Sequence, residues 1–324
     1  MSAALFISDP GQGVFSFTGS GSGLSSILYL EGTQYLAASD SEGGTTVRPV
    51  TIAVDPQGRI NGASTGPALA LSAGHDHEGI AFNPKRGTLF VSDEGNPPEG
   101  SAIREFNRLT GSLVGTVATP GVFDQNRANM GLESLSYGAG YLWTVNEQAL
   151  QHESRTSNTD HGTLVRLQRF DEDLLPAGQW AYLTDNNGAV SELLALPDGE
   201  LLTLERGQVG GRYQIRIYLV DFAGATSTSG LADLDAGGFI TVSKSLLWEA
   251  DWGTGLGHNF EGLALGPAIG IDSNSLILIA DNGTGSQQRL YGLALHGLVP
   301  EPTSAGSVAA GGFVLLLRRR PLGK

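Results

Sequence analysis

The sequence predicts an all-β protein, a β-propeller of five to seven blades with six favoured. Two observations carry this expectation. A unit of two short apolar runs recurs along the chain, and its copies are spaced at about the length of one four-stranded blade. The clearest copy is HEGIAFNPKRGTLFVSDEG at 77–95, where β-branched and aromatic residues fill the runs and Gly and Pro punctuate them. GLESLSYGAGYLWTVNE at 131–147, VSELLALPDGELLTLERG at 190–207 and NFEGLALGPAIGIDSNSLILIADNG at 259–283 repeat it. A weaker first copy, GLSSILYLEGTQYLAASDSEG, occupies 23–43.

The acidic or amide residue closing each second run measures the period. From Asp40 to Asp93, Asn146, Glu205 and Asp281 the spacings are 53, 53, 59 and 76 residues. Five units are therefore explicit. A sixth is assembled from WAYLTD (180–185), SLLWEADW (245–252) and the N-terminal strands. Residues 1–22 read as an incomplete edge, 23–298 as the propeller and 299–324 as a separate tail. Pro49 marks the third strand of the first unit as an edge or a bulge. Trp143, Trp180, Trp248 and Trp252 are expected in strand or inter-blade core.

Composition narrows the function. With 47 Gly and 16% charged residues, the chain is turn-rich and suited to short strands. Its 33 Asp+Glu against 19 Lys+Arg give a net charge of −14, which argues against a nucleic-acid surface and favours cations or neutral partners. The absence of cysteine excludes disulfides, thiolate catalysis and thiolate metal sites. GSGSG at 19–23 lacks the strand–turn–helix setting of a serine nucleophile, HESRT at 152–156 lacks the second His of HExxH, and there is no phosphate-binding P-loop.

Each unit from the second onward opens with a glutamate: Glu78, Glu133, Glu192 and Glu261. At the start of innermost strands these carboxylates would ring the central channel. Like charges so placed raise one another's pKa unless a cation, an arginine or a shared proton intervenes. An oxygen-only donor set points to Ca2+, with Glu78, Asp93, Glu133, Glu192, Glu261 and Asp281 as candidate ligands. The residues closing the second runs would lie either at the opposite end of the hairpin or back toward the channel. Arg48, Arg104, Arg166, Arg216 and Arg289 recur in the following strand and are expected to lock neighbouring blades. Departures from the repeat draw attention to His75 and His77, and to His258. Candidate catalytic residues are thus Glu78, His77, Glu133 and Glu261, with histidine suited to proton transfer near neutral pH.

The tail combines Pro300-Glu301-Pro302, an uncharged apolar run over 305–317 and Arg318–Arg320. It resembles the bacterial PEP-type C-terminal sorting signal. That resemblance implies export, transient membrane retention and processing by an exosortase-type partner. The N-terminus shows neither the basic start nor the apolar core of a secretory signal, so an incomplete start is expected.

The body resembles the phytase-like family with esterase-like activity, through GLSSILY with YLAASD, DHEGIAF with LFVSDEG, GLESLSY with LWTVNE, SELLALPDGELLTLERG, YQIRIYLVDF, and NFEGLAL with ILIADNG. The resemblance covers about 23–295 and implies calcium-dependent hydrolysis of phosphate or other esters, with Glu78, Glu133, Glu192 and Glu261 as positions to test. Ser25-Ser26 breaks the acidic pattern in the first unit. The competing reading is a non-catalytic propeller that binds an extracellular polymer or a surface protein.

Overall fold

A computed structural model describes residues 4–21, 23–39, 46–74, 76–94, 100–251, 258–283 and 285–298. Their strands form five antiparallel sheets arranged as the blades of a propeller. Blade one contains β3 (Leu24–Glu31), β4 (Gln34–Ser39), β5 (Thr46–Val54) and β6 (Ile60–Thr65), with short β7 (Leu69–Ala70) beside β5. Blade two contains β8 (His77–Asn83), β9 (Thr88–Asp93), β10 (Ala102–Asn107) and β11 (Leu113–Val117). Blade three is β12 (Leu132–Gly138), β13 (Tyr141–Asn146), β14 (Leu164–Phe170) and β15 (Pro176–Leu183). Blade four is β16 (Gly188–Ala195), β17 (Leu201–Val209), β18 (Arg212–Asp221) and β19 (Ser243–Asp251). Blade five is β20 (Asn259–Ala268), β21 (Ser273–Asp281) and β22 (Gln287–His296), completed by N-terminal β1 (Phe6–Ser8) and β2 (Phe15–Thr18).

This count corrects the expected six. WAYL belongs to β15 and SLLWEAD to β19, the outer strands of blades three and four. The N-terminal strands start no blade of their own. Phe6 pairs with His296 and Phe15 with Leu290, so both strands cover the outer edge of β22 and join the two ends of the described chain. The sequence spacing over-counted because long loops, 147–163 in blade three and 222–242 in blade four, separate later strands from the recurring two-run unit.

One apolar cluster fills each junction between adjacent sheets. Phe90 and Ile103 meet Leu135 and Phe170 between blades two and three; Leu204 and Ile217 meet Leu263 and Leu278 between four and five. Trp143 stacks near Trp180 and Phe222, and Trp248 near Tyr291, as expected for core tryptophans; Trp252 lies outside the described residues. Among the described residues no helix is long and apolar enough to cross a membrane. The tail from 299 also lies outside them.

The innermost strands β3, β8, β12, β16 and β20 contact one another around the channel. Every one breaks register with its neighbour at its first turn of pleat: at Leu24/Ser26, His77/Ile80, Leu132/Ser134, Val190/Glu192 and Phe260/Gly262. Such a bulge bends a strand and re-aims its side chains. It also demands close approach. A Cβ on Gly79 would stand 2.3 Å from the Leu135 nitrogen, so β8 reaches β12 only because residue 79 has no side chain.

Gly79→Ala is expected to destabilise the protein by about 2 kcal/mol or more in urea unfolding, as overpacking against backbone does. Gly115→Ala, where an added Cβ meets nothing within 4 Å, is expected to change stability by under about 0.5 kcal/mol.

Candidate metal and catalytic site at the channel mouth

The repeated bulge sets which side chains reach the mouth. Aligned on it, Ser25, Glu78, Glu133, Ser191 and Glu261 occupy equivalent positions. Glu192 does not: it falls one residue later, in line with Ser26, Gly79, Ser134 and Gly262. The expected equivalence of four glutamates therefore holds for three. A one-residue offset in a strand reverses side-chain direction, and the buried Glu192 reaches Ser26, whose hydroxyl donates to its carboxyl.

A second ring comes from the ends of the second strands. Antiparallel pairing places the end of each second strand beside the start of the first, as His77 opposite Asp93 and Leu132 opposite Asn146 show. These ends lie at the same rim, which decides the question the sequence left open. One residue further on, Glu94, Glu147, Arg206 and Asp281 are equivalent by register. Arg206 thus stands where its counterparts are acids.

The two rings, with Asp76 just before β8, bring five carboxylates together. Oxygens of Glu94, Glu133 and Glu147 lie within 4.8 Å of one another, as do those of Asp76, Glu78 and Glu94. Glu94 is shared by both groups and accepts from the Gly131 N–H at 2.7 Å. Arg206 spans the mouth: Nη2 donates to Glu147 Oε1 at 2.6 Å and lies 4.0 Å from Glu133 Oε1, while Nη1 pairs with Glu261 and donates to Asn259 Oδ1 at 2.8 Å. One guanidinium therefore ties blade four to blades three and five.

This charge balance is incomplete. Burial, helped by the Glu147, Glu78 and Glu94 charges and opposed by Arg206, raises the Glu133 carboxyl well above its usual range. Burial also pushes Glu94 up to about 7, against hydrogen bonds from Glu133 and Gly131 and with the charges of Glu147 and Asp76. Burial raises Asp76, and Asp93 adds to it. Burial would lower the Arg206 pKa, but Glu261, Glu147 and Glu133 outweigh it and keep the guanidinium charged. A cluster of buried carboxylates with one cation holds protons or a further cation. Its donors are all oxygen, the set that suits a hard divalent ion.

Of the sequence candidates, Glu78 and Glu133 enter this cluster and Glu261 joins it through Arg206. The others lie elsewhere. His77 fills the core position taken by Leu24, Leu132, Val190 and Phe260, and its buried ring stands edge-on to Phe106. Asp93 is buried and paired with Arg104. Asp281 accepts from the Gly283 N–H at 2.7 Å and from Asn259 at 3.5 Å. His258 stands edge-on to Phe260, its pKa lowered by burial and by Arg289. His75 and Asp40 lie outside the described residues.

Sequence reasoning missed Asp76, Arg206 and the placing of Glu94 and Glu147. The available signal was ERG at 205–207, where the register-equivalent triplets are DEG, NEQ and ADN: a base in an acidic slot. The recurring arginines make their closest carboxylate pairs inside their own blades rather than across to a neighbour: Arg104 with Asp93, Arg166 with Glu153 at 2.5 Å and Arg216 with Glu249 at 2.8 Å. Arg166 does reach blade four, where it donates to the Leu231 carbonyl of the β18–β19 loop at 3.0 Å, and Arg216 lies 3.5 Å from Asp185 in the segment joining blades three and four. A third acidic grouping, His152, Glu153 and Asp233, is differently disposed: Glu153 is taken up by Arg166 and by the Leu150 and Leu234 N–H groups.

Fold and rim together define a five-bladed propeller with an acidic channel mouth. The sequence model described as Phytase-like, Esterase-like activity of phytase, matches residues 21–284, and the chain belongs to that family. No curated protein matches the sequence. Among solved structures, an endo-arabinase from Bacteroides thetaiotaomicron is similar at 12% identity and TM-score 0.43, covering 84% of this chain and 96% of that one. A protein of unknown function from Dyadobacter fermentans is similar at 10% identity and TM-score 0.42, covering 88% and 99%. Kuenenia stuttgartiensis hydrazine synthase is similar at 10% identity and TM-score 0.41, covering 82% of this chain and 58% of that one.

Glu192 yields a pH prediction. Burial raises its pKa well above 4.5, outweighing hydrogen bonds from Ser26, Leu193 and Leu135. The folded state keeps a proton that the unfolded chain releases, so this residue's contribution to stability falls as pH rises above that ordinary value toward the folded pKa. Glu192→Gln keeps the shape without the ionisable proton. Urea midpoints should show it within about 1 kcal/mol of the parent at pH 5 and gaining on the parent at pH 8.

Proposed function

We propose that the protein is a divalent-cation-dependent ester hydrolase whose reaction takes place at the channel mouth. The observation that carries this reading is the convergence of Glu94, Glu133 and Glu147 within 4.8 Å, buried and only partly countered by Arg206. Glu94, Glu133 and Glu147 would hold the cation, and Ca2+ is the ion best suited to flexible, oxygen-only coordination. When bound, it supplies Lewis-acid polarisation of an ester oxygen and an orienting centre for water.

The chain's own groups have distinct parts in this reading. Glu78, beside Glu94 and Asp76 and electrostatically linked to Glu133, takes the proton of the attacking water. Arg206 holds Glu147 and Glu261 in place and brings a fixed positive charge to the mouth. The cluster carboxylates are buried, and a lower local dielectric strengthens those interactions. Membership of the phytase-like family supports ester hydrolysis as the reaction class. Phosphomonoesters and carboxyl esters are both candidate substrates. A binding-only propeller on an extracellular polymer or surface protein is the alternative that the assay separates.

We further propose that the protein is exported and handled at its C-terminus by an exosortase-type enzyme. This rests on the Pro300-Glu301-Pro302, apolar and triple-arginine order of the tail.

Purified full chain is expected to contain a divalent metal and to hydrolyse members of a phosphomonoester and carboxyl-ester panel. EDTA should abolish turnover and Ca2+ restore it. Glu78→Gln should lower kcat by about 100-fold or more while the Ca2+-induced rise in melting temperature persists. Metal-free protein with no turnover anywhere in the panel would contradict the proposal.

A further inference from the structure

We infer that a recess beside the carboxylate cluster is a subsite for an uncharged, hydroxyl-rich part of the substrate. The inference rests on the reading of the mouth as an ester hydrolase site, and it deepens that reading by naming a substrate class. The recess has a volume of about 300 Å3, at the small end of ligand sites. Glu147 and Arg206 form the wall it shares with the cluster, so a group seated there lies next to the carboxylates.

Strand register builds the recess. Alternation places Arg206 and Gln208 on one face of β17, with Ala189 of β16 opposite Arg206 and Tyr213 of β18 opposite Gln208. The floor is low because Ala189, opposite Arg206, carries only a methyl group. A Cβ on Gly207 would come 3.0 Å from the Asn187 carbonyl oxygen, so the glycine lets the loop carrying Asn187 close over the strand. Asn187 holds a left-handed φ of 57°, and its backbone N–H donates to the Asn158 carbonyl at 2.8 Å.

The chemistry of the rim selects the occupant. Among the described residues, the side-chain amides of Asn187 and Gln208 and the Tyr213 hydroxyl make no hydrogen bond within the protein, although all three line the recess. Gln148 uses its Oε1 on the Ser157 N–H at 3.0 Å and leaves its amide protons available. Amides and a phenol both donate and accept, which matches hydroxyl groups. Arg206 does not recruit an anion, because Glu147 and Glu261 already pair with it and Glu133 lies 4.0 Å away. A free anionic group entering here meets acids on the cluster side without an unpaired cation.

The test is binding of methyl β-D-glucopyranoside and glucose 6-phosphate to the chelated full chain, followed by ligand-observed NMR and calorimetry. The neutral glucoside is expected to bind with millimolar affinity, and the phosphate about tenfold more weakly. Gln208→Ala combined with Tyr213→Phe should weaken the glucoside about fivefold with melting temperature unchanged. No glucoside binding in the millimolar range, equal or tighter binding of the phosphate, or an unchanged affinity in the double variant overturns the subsite. The two readings fail separately. Glucoside binding without any ester turnover sustains the recess and contradicts the hydrolase, whereas turnover without glucoside binding contradicts the recess alone.

Discussion

The rim of this propeller depends on one guanidinium. Five inner strands converge on the channel, and in blades two, three and five the repeat puts acids at two rim positions. Arg206 replaces the acid in blade four and pairs with Glu147 of blade three and Glu261 of blade five. Its planar fork addresses two carboxylates in different directions, which an ammonium could not do with the same geometry. Breaking a buried pair of this kind typically costs about 3–5 kcal/mol, because the remaining charge is left without compensation. Yet Arg206 is one charge among five carboxylates, and burial first, with the neighbouring carboxylate charges adding to it, raises the Glu94 and Glu133 pKa values. That residual imbalance leaves the mouth with carboxylates that a proton or a further cation would stabilise.

The bulge at the start of each inner strand links fold to site. It turns Glu78, Glu133 and Glu261 to equivalent places, and its small following residue lets neighbouring strands approach. In blade four the acid comes one residue later, so Ser191 stands at the rim and Glu192 reaches across the channel to Ser26. The same local distortion therefore makes an acidic rim and, in a single blade, a buried contact behind it. Ring closure by β1 and β2 on β22 holds these positions at fixed separation.

Much of this was legible in the sequence. The two-run unit announced the inner hairpin of every blade, since β periodicity and turn chemistry act locally. Blade number was less legible because outer strands such as β15 and β19 carry no repeated anchor, and β19 follows a long loop. Repetition made Glu78 and Glu133 readable as equivalent rim positions, and the structure brings both into the carboxylate cluster. Glu192 was misplaced because a bulge adds one residue that hydrophobic alternation does not reveal. Arg206 was overlooked because it is the exception to the repeat, and its meaning depends on two blades that are distant in sequence. His77 looked exceptional for the opposite reason: a polar residue had filled an apolar core slot.

The proposed hydrolase depends on the acidic mouth binding a divalent cation through Glu94, Glu133 and Glu147. Thermal unfolding of chelated protein during a Ca2+ titration tests it most directly, since a ligand that binds only the folded state stabilises by about 2.7 kcal/mol at one hundred times its Kd. The account predicts a saturable rise of several degrees in the parent and little or none in a Glu133→Gln/Glu147→Gln double variant that still folds. A parent that shows no rise at millimolar Ca2+, or a double variant that rises equally, would contradict it.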